Sequence, residues 1–153
     1  MIKKKGFIIK KAEEMELINL EKITLVEIQG ILNKYLINGF LDDDGDLLIP
    51  GSISVFLSFD EEKKILRFFG SLNTSYLKRD ENEIALFANK TNIASNSIKY
   101  SPNKSKAIIF EYGIFRGGFV DEEYLVNTLK KVLEEANDTR ALFPLFDEVL
   151  GVD

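Results

Sequence analysis

The sequence predicts an α+β domain, an antiparallel sheet with packed helices in the order α-β-β-β-α-β-β-α. Three observations carry this. Helix-start signatures stand at Thr24, Asp80 and Asp121. Between them lie a period-two stretch, "SISVFLSF" (residues 52–59), and further apolar runs separated by short polar turns. Those runs are grouped, three and then two, instead of alternating singly with helices, so a βαβ architecture does not fit.

The first helix opens on Thr24-Leu25-Val26-Glu27, a capping box, with Ile23 and Ile28 spaced for a hydrophobic staple. Ile28, Ile31, Leu32, Tyr35 and Leu36 recur at helical spacing, and Asn38-Gly39 supplies a stop, so this helix is expected over 24–38. Leu47 to Ile49 reads as a short strand ended by Pro50-Gly51. In "SISVFLSF", Ile53, Val55, Leu57 and Phe59 share one face, while serines and Phe56 share the other. After the polar turn Asp60-Glu61-Glu62-Lys63, "KILRFFGSL" resumes as a third strand and completes a meander.

Asp80 and Glu83 start the second helix, with Ile84, Phe87, Ala88 and Thr91 on its expected inner face. "NSIKYS", the loop "PNKSK" and "AIIFEYGIFRGG" read as a second hairpin. Asp121 begins the third helix, its first turn acidic, with Leu125, Leu129, Val132, Leu133 and Ala136 at core spacing.

Composition limits the chemistry. The 153 residues suit one domain, and 45% hydrophobic residues, including 12 Phe, can fill a core. With no Cys and no His, disulfides, thiolate or ordinary zinc sites, and Ser-His-Asp or Cys-His nucleophiles are excluded. A net charge of −5 and a pI near 4.9 argue against a nucleic-acid partner. In "MIKKKGFIIKKAEE" the apolar run from Gly6 to Ile9 is cut short by Lys10 and Lys11, so no secretory h-region of about 7–15 residues is expected. No run approaches the roughly 18 apolar residues of a membrane span. These readings predict a soluble cytoplasmic protein that engages no membrane. The lysines of the first 11 residues read as a solvated tail, against the alternative of a docking arm for an anionic surface.

The stretch "LDDDGDLLI" (41–49) sets Asp42, Asp43, Asp44 and Asp46 around Gly45. With Gly45 at position 6 of an EF-hand loop, Phe40 and Gly51 fall where the cage needs acidic ligands, so calcium loop chemistry lacks both closing ends. Asp-Gly suits a tight turn, and a turn between helix and strand is the favoured reading. A catalytic carboxylate pair would need a buried member, and this run is contiguous and polar. No phosphate-binding glycine motif occurs, and Arg116-Gly117-Gly118 ends a strand without Lys or Ser following. Asn89 and Asn92, on one helical face with Ala85 and Asn96, read as hydrogen-bonding partners for nearby backbone, the alternative being a polar ligand strip.

The C-terminal "TRALFPLFDEVL" sets Leu142, Leu145, Phe146, Val149 and Leu150 on one helical stripe with Phe143 beside it, and Pro144 fits a first turn. So apolar a stripe must fold back onto the sheet or dock on a second subunit or partner. These six residues are the candidate partner-binding set. No catalytic residue, cofactor or metal site is expected.

The "NGFLDDDGDLLI" junction, the hairpin "ISVFLSF…ILRFFGSL", the "NKTN" pair Asn89 and Asn92, and the strand "IIFEYGIF" before an acidic-capped helix stand in one order. In that order the chain, from about Leu20 to Ala136, resembles the YbjN family, labelled bacterial sensory transduction regulators, which shares the fold of type III secretion chaperones. The resemblance implies a cytoplasmic, non-enzymatic module that binds other polypeptides or modulates their output, with a homodimer plausible by analogy. The expected organisation is an N-terminal extension (1–19), a YbjN-like domain (20–137) and an apolar tail helix (138–153). The expected function is capture of a protein or peptide on apolar surface or a sheet edge. The alternative is a small-ligand or divalent-cation sensor using Asp42 to Asp46.

Overall fold

Thr24 caps the first helix, α1 (Leu25–Lys34), its Oγ1 accepting the Glu27 amide at 3.2 Å. The computed structural model describes residues 16–95 and 97–151; the N-terminal lysines and Asn96, named above, lie outside them. Ile23 and Ile28 are buried, as the staple requires. The helix ends at Lys34, four residues before the expected stop at Asn38-Gly39. Leu36 adopts φ +62°, the Ile37 amide donates to Leu32 O and the Leu36 amide to Asn33 O. This is a Schellman closure with leucine where glycine is usual. It drives Ile37 back against the core.

Two strands of two residues each flank α1: β1 (Ile18–Asn19) and β2 (Phe40–Leu41). Then come β3 (Leu47–Ile49), β4 (Val55–Asp60) and β5 (Ile65–Asn73), the predicted meander. A 3-10 turn (Ser75–Leu77) leads to α2 (Glu81–Ala94), capped by Asp80 Oδ1 on the Glu83 amide at 2.8 Å. Glu83 makes an ion pair with Arg79 at 3.0 Å. The second hairpin is β6 (Lys99–Pro102) and β7 (Ala107–Phe115). Strand β8 (Phe119–Val120) precedes α3 (Glu122–Ala141), and a 3-10 turn (Phe143–Leu145) runs into α4 (Phe146–Leu150).

All strand pairings are antiparallel, in the order β2-β3-β4-β5-β7-β6, with β1 and β8 paired separately. The hairpin joins the meander through β7, so β6 lies at an edge. Leu47, Leu57, Phe68 and Tyr112 align across β3, β4, β5 and β7 and, by strand alternation, fix the inner face. There Leu47, Leu57 and Phe68 join Ile28, Leu32, Ile84, Phe87, Leu125 and Leu129 of the helices in one buried cluster, with half-buried Tyr112 packed against it. Gly70 sits where no side chain fits: a Cβ there would lie 2.5 Å from both Ser54 O and the Phe110 ring.

The expected domain boundaries fall inside continuous structure. Ile18 and Asn19 pair with β8, and α3 runs through position 138 to Ala141. Arg116 ties the N-terminal segment to the sheet. Its guanidinium donates to Leu20 O and Ile23 O, each at 3.2 Å, lies 3.8 Å over the Phe59 ring and pairs with Glu61 at 2.9 Å. The Arg-Gly-Gly motif thus serves as a latch.

Candidate interaction surface

Strand alternation sends every second sheet side chain away from the helices. One such row, by register, is Phe40, Leu48, Phe56, Phe69, Glu111 and Lys99. Phe56 and Phe69 stack, centroids 5.5 Å apart. Beside them Ser58, Arg67 and Gly113 form a second row, and Asp60, Ile65 and Phe115 a third. Arg67 binds the rows together: its Nε donates to Glu111 Oε1 at 2.7 Å and its guanidinium lies 4.6 Å over Phe69. None of these apolar residues belongs to the buried cluster. Phe40 is 50% exposed and Phe115 is 70% exposed. Leu48, Phe56 and Phe69 are half-buried, so among the described residues this face carries a partly exposed aromatic patch with one ion pair at its centre.

The sheet edges offer less. Asn92 on α2 grips the backbone of edge strand β6, accepting from the Tyr100 amide at 2.6 Å and donating to Tyr100 O at 2.7 Å. Residues 100 and 102 point the same way by alternation, and Pro102 has no amide to offer. An incoming strand therefore finds no free donor on that edge. Beside the other edge strand, β2, which is two residues long, the Gln29 side chain donates to Gly39 O at 2.7 Å. Asn92 thus takes the backbone-bonding role expected from its spacing, whereas Asn89 is exposed.

The acidic stretch is a turn, although it joins β2 to β3 and not a helix to a strand. Asp42 Oδ1 accepts the amides of Asp44 and Asp46, both at 2.9 Å, and Gly45 takes φ +83°. Asp42 therefore spends one oxygen on the backbone. Burial, reinforced by Asp42 and Asp44 and opposed by Arg67, raises the Asp46 carboxyl above its ordinary value. Among the described residues no three carboxylates converge as a metal cluster would require.

The candidate tail residues are divided. Phe143 and Phe146 are buried against Phe87 of α2, with centroids 5.4 Å and 4.6 Å away. Arg79 lies 4.9 Å over Phe146 and pairs with Asp147 at 2.8 Å. Val149 and Leu150 are half-buried against the core, while Leu142 and Leu145 are 36% and 48% exposed. The tail folds back onto the core, its two phenylalanines packed on Phe87 of α2.

No protein-family model matches the chain, and no curated protein sequence matches it. Among solved structures it resembles YbjN from E. coli, described as a candidate transcription regulator. The TM-score is 0.60 at 12% identity, over 77% of this chain and 89% of that one. The fold is YbjN-like. A chain of the HopA1–SchA chaperone–effector complex is also similar, with a TM-score of 0.55 at 16% identity over 74% of this chain and 90% of that one. The fold is thus shared at identities of 12% and 16%.

The aromatic patch was not identified from sequence, which set Phe56 among serines and assigned it no role. A signal existed. A hairpin turning at Glu61–Lys64 pairs Phe56 with Phe69, and consecutive Phe68 and Phe69 must face opposite ways.

Proposed function

We propose that this protein is a non-enzymatic, cytoplasmic binding module that captures an apolar polypeptide segment on the open face of its sheet. The observation that carries the reading is the open-face row of exposed Phe40 and half-buried Leu48, Phe56 and Phe69, in a sheet whose edge strand β6 offers no free amide. Exposed apolar patches of this kind mark interaction sites. Arg67 and Glu111 would orient the bound segment. Leu142 and Leu145 add a second, smaller apolar surface. A chaperone–effector complex among the similar structures supports a protein as partner. The absence of His and Cys supports a role without covalent chemistry. A second copy of the chain is the simplest partner, and light scattering of the full chain tests it.

The reading is tested by photo-crosslinking in cells. A benzophenone amino acid placed at Phe69 should give discrete adducts, while one at Lys130, exposed on α3, should give none. Equal labelling from both positions, or none from either, would overturn it.

A further inference from the structure

A cavity of about 330 Å³ opens between α3 and the β6–β7 corner, away from the aromatic face. That volume lies at the lower end of the range for small-molecule sites, about 300–1,000 Å³. Its depth is apolar: Ile98 and Val132 are buried and Tyr112 is half-buried, with its ring 6.4 Å from Phe68. Its lining also includes exposed Lys131 and half-buried Glu135, opposite charges one helical turn apart on α3.

These two charges do not neutralise each other. Glu135 is held by two serines, Oε1 accepting Ser95 Oγ at 2.5 Å and Oε2 accepting Ser97 Oγ, itself in the cavity wall, at 3.2 Å. Lys131 makes no ion pair among the described residues. Lysine preceding glutamate at i,i+4 is also the weaker orientation for helical pairing. The cavity thus has an apolar floor, a fixed carboxylate and an ammonium without an ion-pair partner among the described residues, on side chains whose Cβ atoms stand roughly 5–6 Å apart.

We propose that this cavity binds a free α-amino acid with an apolar or aromatic side chain. The side chain lies against Ile98, Tyr112 and Val132, the ligand carboxylate meets Lys131, and its ammonium meets Glu135. A zwitterion alone satisfies both charges at once. A simple acid or a simple amine leaves one of them unmatched, and a polar amino acid leaves the apolar floor without a partner.

Calorimetry on the full chain tests this with L-phenylalanine and L-leucine as probes, beside phenethylamine and 3-phenylpropionate, which each lack one charge. The proposal expects saturable binding of the amino acids and at least about tenfold weaker binding of both analogues, the scale of one lost charge-assisted hydrogen bond. Lys131→Ala, an exposed change that leaves the core untouched, should weaken L-phenylalanine by a similar factor and leave phenethylamine unaffected. Glu135→Gln should weaken L-phenylalanine and leave 3-phenylpropionate unaffected. Flat titrations for both amino acids up to the order of 10 mM, equal binding of the one-charge analogues, or unchanged affinity in Lys131→Ala would each overturn it.

Discussion

At the scale of single residues, position 36 carries a cost that the sequence pattern conceals. Leu36 was expected to continue the apolar stripe of α1, yet it stands 90% exposed at φ +62°. The spacing that suggested a longer helix is satisfied differently: Ile37 turns inward and the chain reverses at Leu36. Leucine in the left-handed region costs about 1–2 kcal/mol, most of which glycine avoids. Leu36→Gly should therefore stabilise the fold by about 1 kcal/mol in urea unfolding, and a destabilised variant would refute the closure. Tyr100 makes a second residue-level prediction. Burial pushes its phenol up to about 12, against the hydrogen bond donated by Thr139 at 2.8 Å, from an ordinary value of 10.0. Its contribution is fully present below pH 10, and it is lost as pH rises from 10 towards 12, where the unfolded chain deprotonates first. Wild type should lose roughly 2–3 kcal/mol over that window, and Tyr100→Phe should lose less, measured by denaturation at fixed pH values.

At the scale of elements, the capping signals at Thr24, Asp80 and Asp121 all reappear as side chains accepting first-turn amides. Local chemistry of this kind is legible because donor and acceptor lie three residues apart. The tail was not legible in the same way. A 3.6-residue period placed Leu142, Leu145 and Phe146 together, but the segment from Phe143 to Leu145 winds as a 3-10 turn. With about three residues per turn, Phe143 and Phe146 share a side and Leu142 and Leu145 share another. The packing of Phe87 between both tail phenylalanines selects that winding. Deleting residues 142–153 should thus uncover Phe87 and cost at least about 3 kcal/mol in chemical unfolding, with falling solubility. A truncated chain that keeps its stability but changes from dimer to monomer in light scattering would assign the tail to assembly instead.

At the scale of the whole molecule, the order of helices and strands followed from sequence because each apolar period matched its element. Which sheet face would be left open did not follow from those periods alone. Both faces of β4 and β5 carry phenylalanine, and only the docking of α1, α2 and α3 on one side distinguishes Phe68, fully buried, from Phe69, half-buried. The account rests on that asymmetry: a folded sheet, protected at its β6 edge, whose other face carries partly exposed phenylalanines among the described residues. The direct measurement is retention of cytosolic proteins by the immobilised full chain, beside a Phe56→Ser/Phe69→Ser variant whose circular dichroism matches wild type. The account predicts specific proteins retained by wild type and lost from the variant. Retention of the same proteins by both, or of none by wild type, would contradict it.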